Sequence, residues 1–484
     1  MYLAFDTLAT QAIDYDICII GAGAAGIAMA VTLAEQGHRT LLCEGGEASY
    51  SERSQAIYRG EVVGDPYIPL DDARLRYLGG STNHWGGVCR PLDAHDFTAK
   101  TAAPDTAWPI TQEALAPYYT HAAKLLNLTQ PHADYPVPGS RFERIYFSLG
   151  NPVRLKDKYA ATLNASAHVE YCLTANLVAL ERHAGRVERA TLRNFQGDEC
   201  QVRARYFVLA CGGIENSRLL LWLNQQSNGQ LIRDASTLGR YWMEHPHASV
   251  GQALLFEPQA LGLDQEYNVF LSPTPDMLSK RQLLNCGLRL HRMNREATQQ
   301  LIDTLSQDAP ALGEQLSTWQ AQGRVMHGVI LRAAWEQEPR FDNRVALDTE
   351  VDEFGIPRSR LIWQQSALDR HTIRDSMLLL GEHLLNQNIG RLKLADWLAA
   401  QPVVMPSEGE LAGRHHMGGT RMSHRAEQGI VNSDCRLFDQ ENMYLAGSSV
   451  FPSVGHANPT LTIVQLALRL CDHLDRQLRR PSHA

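Results

Sequence analysis

The sequence contains no C-x-x-C pair: its nine cysteines, at positions 18, 43, 89, 172, 200, 211, 286, 435 and 471, are odd in number and scattered. That pattern argues against a disulfide framework and against a structural zinc site, so no metal site and a reducing compartment are expected. No run of about 18 apolar residues occurs, and Met1 to Ile13 has no basic stretch ahead of an apolar one; the expectation is a cytoplasmic protein with no membrane partner. Positive charge is not in excess either. The 45 basic and 53 acidic residues leave a formal charge of −8, which argues against a general binder of nucleic acid. Only Arg476 to Arg480 is a basic tail, read as a solvated helix end. Gly/Ser linkers, low-complexity tracts and internal repeats are missing as well.

What is present is ample material for a core. With 484 residues, 44% of them hydrophobic and 20% charged, the chain reads as soluble, globular and built of two or three domains. Tyr15-Asp-Ile-Cys-Ile-Ile20 is a short β-branched run followed at once by Gly21-Ala-Gly-Ala-Ala-Gly26 and an Ala-rich stretch to Gln36, which predicts strand, tight turn, helix. A second apolar run, Thr40 to Cys43, ends at Glu44, 18 residues beyond Gly26 and close to the spacing of about 20 for an acid that binds a ribose. Alone, G-x-G-x-x-G arises by chance in a chain with 36 glycines; inside a complete βαβ unit it predicts a dinucleotide site. Gly21 permits the turn, Gly23 lets backbone approach a pyrophosphate, and Gly26 lets helix and strand pack closely, with the helix N-terminus facing the phosphates.

Tyr206 to Gly213 and Asn442 to Gly447 are further buried-strand runs that end in glycine. Both suit one parallel sheet, which makes the nucleotide-binding domain discontinuous. The expected division is 10–100, 166–249 and 411–484 for that domain, and 101–165 and 250–410 for a substrate-binding or cap domain. No second G-x-G-x-x-G appears, which argues against a separate NAD(P)H domain.

Five separated stretches resemble the glucose-methanol-choline (GMC) family of FAD-dependent oxidoreductases, nearest to sugar-oxidising members of the pyranose oxidase and glycoside 3-oxidase kind. They are Gly21 to Glu44; Arg76-Tyr-Leu-Gly-Gly-Ser-Thr-Asn-His-Trp-Gly-Gly87; Cys211-Gly-Gly-Ile-Glu-Asn-Ser-Arg-Leu-Leu220; Leu238 to Pro246; and His415 to Leu470. Residues 250–410 match only at scattered points. The resemblance implies an α/β fold with a discontinuous Rossmann-like FAD-binding domain and a substrate domain built on a mainly antiparallel sheet with helices. It also implies FAD, and an alcohol oxidised to a carbonyl by hydride transfer to flavin N5.

By the same resemblance His416, four residues before Thr420, is the catalytic base, and Asn458 in Gly455-His-Ala-Asn-Pro-Thr460 is the second catalytic residue. A neutral imidazole suits proton abstraction at working pH, whereas a carboxamide orients the substrate oxygen. Asn458 is expected to cap the following helix, with Pro459 at its first position and the Thr460 amide facing the flavin. Gly80, Ser81 and Asn83 are expected flavin contacts, and Gly447 a further cofactor contact. Val178 is assigned to the adenine, against its default as a core residue. His84, followed by Trp85, matches the position that bonds covalently to the flavin in the pyranose oxidase branch; simple packing against the ring is the alternative. His415 and His456 flank the catalytic pair and His245 is read as structural. A sugar, glycoside or aminocyclitol hydroxyl is the expected substrate. A simple aliphatic or aryl alcohol is one alternative, and a hydroxynitrile lyase that keeps FAD for structure is another. Oxygen or a different electron acceptor, and the oligomeric state, stay open.

Overall fold

A computed structural model describes residues 1–10, 14–129, 133–149, 151–263, 268–400, 403 and 413–480. The predicted βαβ unit forms. Strand Asp14–Ile20 leads through helix Ala24–Glu35 to strand Thr40–Cys43, which pairs with it in parallel, Ile17 opposite Thr40 and Ile20 opposite Cys43. Outside Thr40–Cys43 lies Val169–Cys172; on the other side of Asp14–Ile20 lies Glu199–Leu209, both parallel. Met443–Leu445 continues the parallel sheet beside Phe207 to Leu209, while the hairpin Asn176–His183 and Arg186–Arg193 adds antiparallel strands beside the first half of Glu199–Leu209. Toward their carboxyl ends the central strands are apolar because both faces are covered there: Ile17, Ile19, Leu41, Leu42, Phe207 and Val208 have no exposed surface. Helix Thr460–Arg479 packs on helix Ala24–Glu35, with Leu461, Val464, Leu468 and Cys471 in the shared core.

A second sheet is antiparallel throughout its recorded pairings. Its order is Gly390–Leu394, His247–Leu255, His327–Trp335, Cys286–Arg292, Asn268–Pro273, Phe142–Ile145 and Tyr135–Pro136. Leu288, Leu331 and Trp335 on one face share a core with Ile373, Met377, Leu380 and Leu384 of helix Ala367–Asn386. A three-stranded sheet, Arg344–Val351, Pro357–Trp363 and Gly60–Gly64, joins segments far apart in sequence. Among the described residues no helix is long and apolar enough to cross a membrane.

Candidate active site

Four parallel strands stop at the same edge of the first sheet, and the residues just beyond them open one cavity of about 470 Å³. Gly21, Glu44, Cys211 and Gly447, all in its wall, follow strands that end at Ile20, Cys43, Leu209 and Leu445. Carboxyl ends of parallel strands are where such sheets bind ligands. Gly21 adopts φ +107°, and a Cβ there would lie 2.6 Å from the Ala210 oxygen; one on Gly26 would lie 1.9 Å from the Gly21 oxygen. A Cβ on Gly23, by contrast, meets no protein atom within 4 Å, although Gly23 lines the cavity. Two glycines thus serve packing and the third keeps open a space against the N-terminus of helix Ala24–Glu35, as a pyrophosphate requires. Glu44 accepts from the Ala22 amide at 2.9 Å and the Gly46 amide at 2.8 Å. Each carboxylate oxygen is fixed and keeps a lone pair for a ribose hydroxyl. The shape and chemistry of this cradle fit FAD.

The loop over the cradle is bonded to it. Gly79 donates to the Ala22 carbonyl at 2.9 Å, and the built Cβ of Gly80, at φ +51°, would stand 3.2 Å from the Gly23 Cα. Gly80, Ser81 and the exposed His84 line the cavity. Asn83 does not: it is buried, and its amide donates to the Leu78 carbonyl at 3.0 Å and the Gly80 carbonyl at 2.9 Å. Its part is to hold the loop's turn. Val178 is also displaced from its expected role. Ala175, Asn176 and Leu177 line the cavity, but Val178, the next residue of strand Asn176–His183, lies outside the lining and packs in the core.

His416 is fixed by its backbone. Met417 and Met243 exchange both amide–carbonyl hydrogen bonds, and Ser448 Oγ donates to the His416 carbonyl at 2.5 Å. Its ring stands beside Trp242 and Tyr67, with centroids 6.0 and 6.3 Å away. Burial, reinforced by Arg74 and Arg414, pushes its pKa down to about 3, so the imidazole is neutral over the physiological range. Nε2 is buried without a hydrogen-bond partner in a residue that lines the cavity.

Asn458 lines the same cavity and donates one amide hydrogen to the Val88 carbonyl at 2.8 Å, which leaves the second for a ligand. The expected helix cap is corrected here. Helix Thr460–Arg479 starts one residue later than anticipated, with Pro459 in the cap position and no side-chain cap; the Val88 bond holds the Asn458 amide instead. Pro459 and Thr460 line the cavity. Of the flanking histidines, His415 lines it too, its Nδ1 3.0 Å from His245 Nδ1 and its amide donating to Glu244 Oε1 at 2.7 Å. His456 is 1% exposed and lies outside the lining.

The motif reading passed over an ionic group in the same wall. Arg218 pairs with Glu215 at 2.8 Å and with Asp352, and Glu215 also meets Arg74 at 3.5 Å. Arg76 donates to Asn176 Oδ1 at 2.5 Å and Ser54 Oγ at 3.0 Å. Arg76, Glu215 and Arg218 sit within stretches that carry the family resemblance, but only the fold brings Asp352 and Asn176 to them. Among the described residues no group of three or more His, Cys, Asp or Glu side chains is placed to hold a metal ion.

Residues 16–329 match the FAD dependent oxidoreductase family and residues 339–467 the GMC oxidoreductase family. The chain is 25% identical to 6'''-hydroxyparomomycin C oxidase of Streptomyces lividus, over 94% of this chain and 90% of that one. It is 22% identical to the fructose dehydrogenase large subunit of Gluconobacter japonicus, over 98% and 100%. Its fold is similar to that of pyridoxine 4-oxidase from Mesorbium loti, with TM-score 0.57 at 16% identity over 95% of this chain and 99% of that one. With both family matches running in order through the cradle, the loop above it and the His416 and Asn458 segments, the chain belongs to the GMC family of FAD-dependent oxidoreductases.

Proposed function

We propose that this enzyme oxidises a hydroxyl-bearing carbon of a sugar, glycoside or aminocyclitol to a carbonyl, with His416 as base and Asn458 as the orienting group. The observation that carries the reading is the neutral, buried and unpartnered Nε2 of His416 in the cavity that Asn458 shares. The chemistry FAD supplies when bound is acceptance of the hydride that leaves the carbinol carbon. Gly21, Gly23 and Glu44 would hold its dinucleotide part, and Gly80, Ser81, His84, Gly447, Pro459 and Thr460 would surround the rest. His416 Nε2 takes the hydroxyl proton as the carbonyl forms, and an imidazole in this role contributes roughly 10²–10⁴ in rate. The free N–H of Asn458 donates to the substrate oxygen and so fixes which hydrogen faces the acceptor. The positive end of helix Thr460–Arg479 favours negative charge that builds beside it.

The relatives named for an aminoglycoside and for fructose support a polyhydroxylated substrate. The strands of the parallel sheet, from 14–43, 169–209 and 443–445, support assigning 10–100, 166–249 and 411–484 to the FAD-binding unit. All nine cysteines are free, which supports a reducing, cytoplasmic setting. Anaerobic titration of the oxidised holoprotein with a panel of sugars and simple alcohols tests the reading. Bleaching of the flavin band by a sugar is the expected result. Product formed with the band unchanged identifies a lyase, and bleaching by simple alcohols alone removes the sugar assignment.

A further inference from the structure

His415, the residue before the base, belongs to a chain of hydrogen bonds that fixes where its proton sits. His245 Nε2 lies 3.3 Å from the Val454 carbonyl, and its Nδ1 lies 3.0 Å from Nδ1 of His415. A carbonyl oxygen can only accept, so His245 carries its proton on Nε2. Burial keeps that ring neutral, which leaves its Nδ1 a bare lone pair. The lone pair needs a donor, and His415 Nδ1 supplies it. His415 is itself held neutral by burial. With its one proton on Nδ1, its Nε2 can only accept.

The orientation of the ring gives this acceptor to the cavity. A Cβ built on Gly413 would stand 2.6 Å from His415 Nδ1 and 2.9 Å from its Cε1, so that edge faces backbone. The Gly413 amide donates to the His245 carbonyl at 2.9 Å and the His415 amide to Glu244 Oε1 at 2.7 Å, which ties the segment down on the same side. The opposite edge, with Nε2, is the partly exposed one, in a residue that lines the cavity with His416 and Asn458. Among the described residues Nε2 has no hydrogen-bond partner. The FAD cradle is built on the parallel sheet, whereas His415 stands where the antiparallel sheet meets the cavity: its ring lies 6.0 Å from that of His247, the first residue of strand His247–Leu255.

We infer that His415 is a specificity-determining residue: its Nε2 accepts a hydrogen bond from a second hydroxyl of the substrate while His416 takes the proton of the first. A simple alcohol leaves this acceptor unpaired, so His415 selects polyhydroxylated substrates. This rests on the sugar-oxidation reading. Oxidised holoenzyme is titrated anaerobically with glucose and its 2-, 3-, 4- and 6-deoxy analogues. Perturbation of the oxidised flavin spectrum reports binding, and bleaching reports oxidation. At least one analogue half-saturates at a concentration about fivefold or more above glucose, as the loss of one hydrogen bond requires. In H415F that gap closes to within about twofold, because glucose itself binds more weakly. H415Q, whose amide offers a donor to His245 and an acceptor to the substrate, keeps part of the gap. FAD content and melting temperature are read alongside as a check on folding, and the limiting rate of flavin reduction falls less in H415F than in H416A. Equal half-saturation by all five sugars in the wild type, or no perturbation by any of them, overturns the contact, as does a gap that survives in H415F. A limiting rate lowered in H415F as far as in H416A overturns it too, by making His415 a base. Selective binding without bleaching keeps the contact and removes the oxidation reading; bleaching by all five alike does the reverse.

Discussion

A buried imidazole that stays neutral is able to accept a proton, and burial makes the charged form costly. Because burial and two arginines hold the His416 pKa at about 3, its base form is lost only when the pH falls toward that value. The rate of flavin reduction at saturating substrate should therefore be flat from pH 5 to 8. A decline centred near the ordinary histidine value of about 6.5 would mean His416 is solvated when it works. H416A should slow reduction by about 10²–10⁴ and leave FAD bound, as stopped-flow absorbance and the flavin content of the purified protein would show. N458A should cost less, about tenfold, because it removes orientation and not the proton acceptor. A loss as large as that of H416A would invert the two roles. Both residues stand out in the sequence, but the acceptor of the Asn458 amide does not: Val88 is 370 residues away, and no local pattern marks a carbonyl as a partner.

Of the three glycines around the start of helix Ala24–Glu35, two separate by experiment. G26A sets a methyl 1.9 Å from the Gly21 carbonyl, and overpacking of that kind destabilises by about 1–3 kcal/mol, so the FAD-free protein should melt earlier. G23A meets no protein atom; its FAD-free melting temperature should be unchanged while FAD affinity falls. A lowered melting temperature for G23A would show that its open side serves folding and not the cofactor. The turn, its helix and the strands around it were legible in the sequence because glycine spacing and β-branched runs act locally. Val178 and the helix start at Thr460 were not. The first depends on how far along strand Asn176–His183 the cavity wall extends, and the second on a hydrogen bond that holds the Asn458 side chain on Val88 instead of the cap.

Across the molecule, buried titratable groups set opposing slopes of stability with pH. His245 and His247 are held down to about 3 and 4 by burial, His416 to about 3, and His415 well below its usual value. The unfolded chain protonates all four on acidification and the folded one does not, so they remove stability as pH falls below about 6.5. Glu244 and Asp96 are pushed up to about 7 by burial. The folded state keeps their protons where the unfolded state has lost them, so they remove stability as pH rises from about 4 to 7. E244Q/D96N removes this second slope, and its melting temperature should drop more steeply than that of the wild type between pH 6.5 and 4.5. Parallel curves would place these carboxyls in contact with solvent. The α/β architecture with an antiparallel second sheet was expected from resemblance. The burial of Arg218 against Asp352 and the hydrogen bond between the rings of His415 and His245 follow from how distant segments meet, which no single stretch of sequence states.

The convergence of four strand ends on one cavity has a consequence for how the enzyme is made. The turn Gly21 to Gly26 precedes His416, the last parallel strand and Asn458 in the chain by more than 380 residues. A nascent polypeptide therefore carries half a binding site for most of its synthesis. On the proposed reading, flavin is expected to bind late in folding, once both ends of the chain have met.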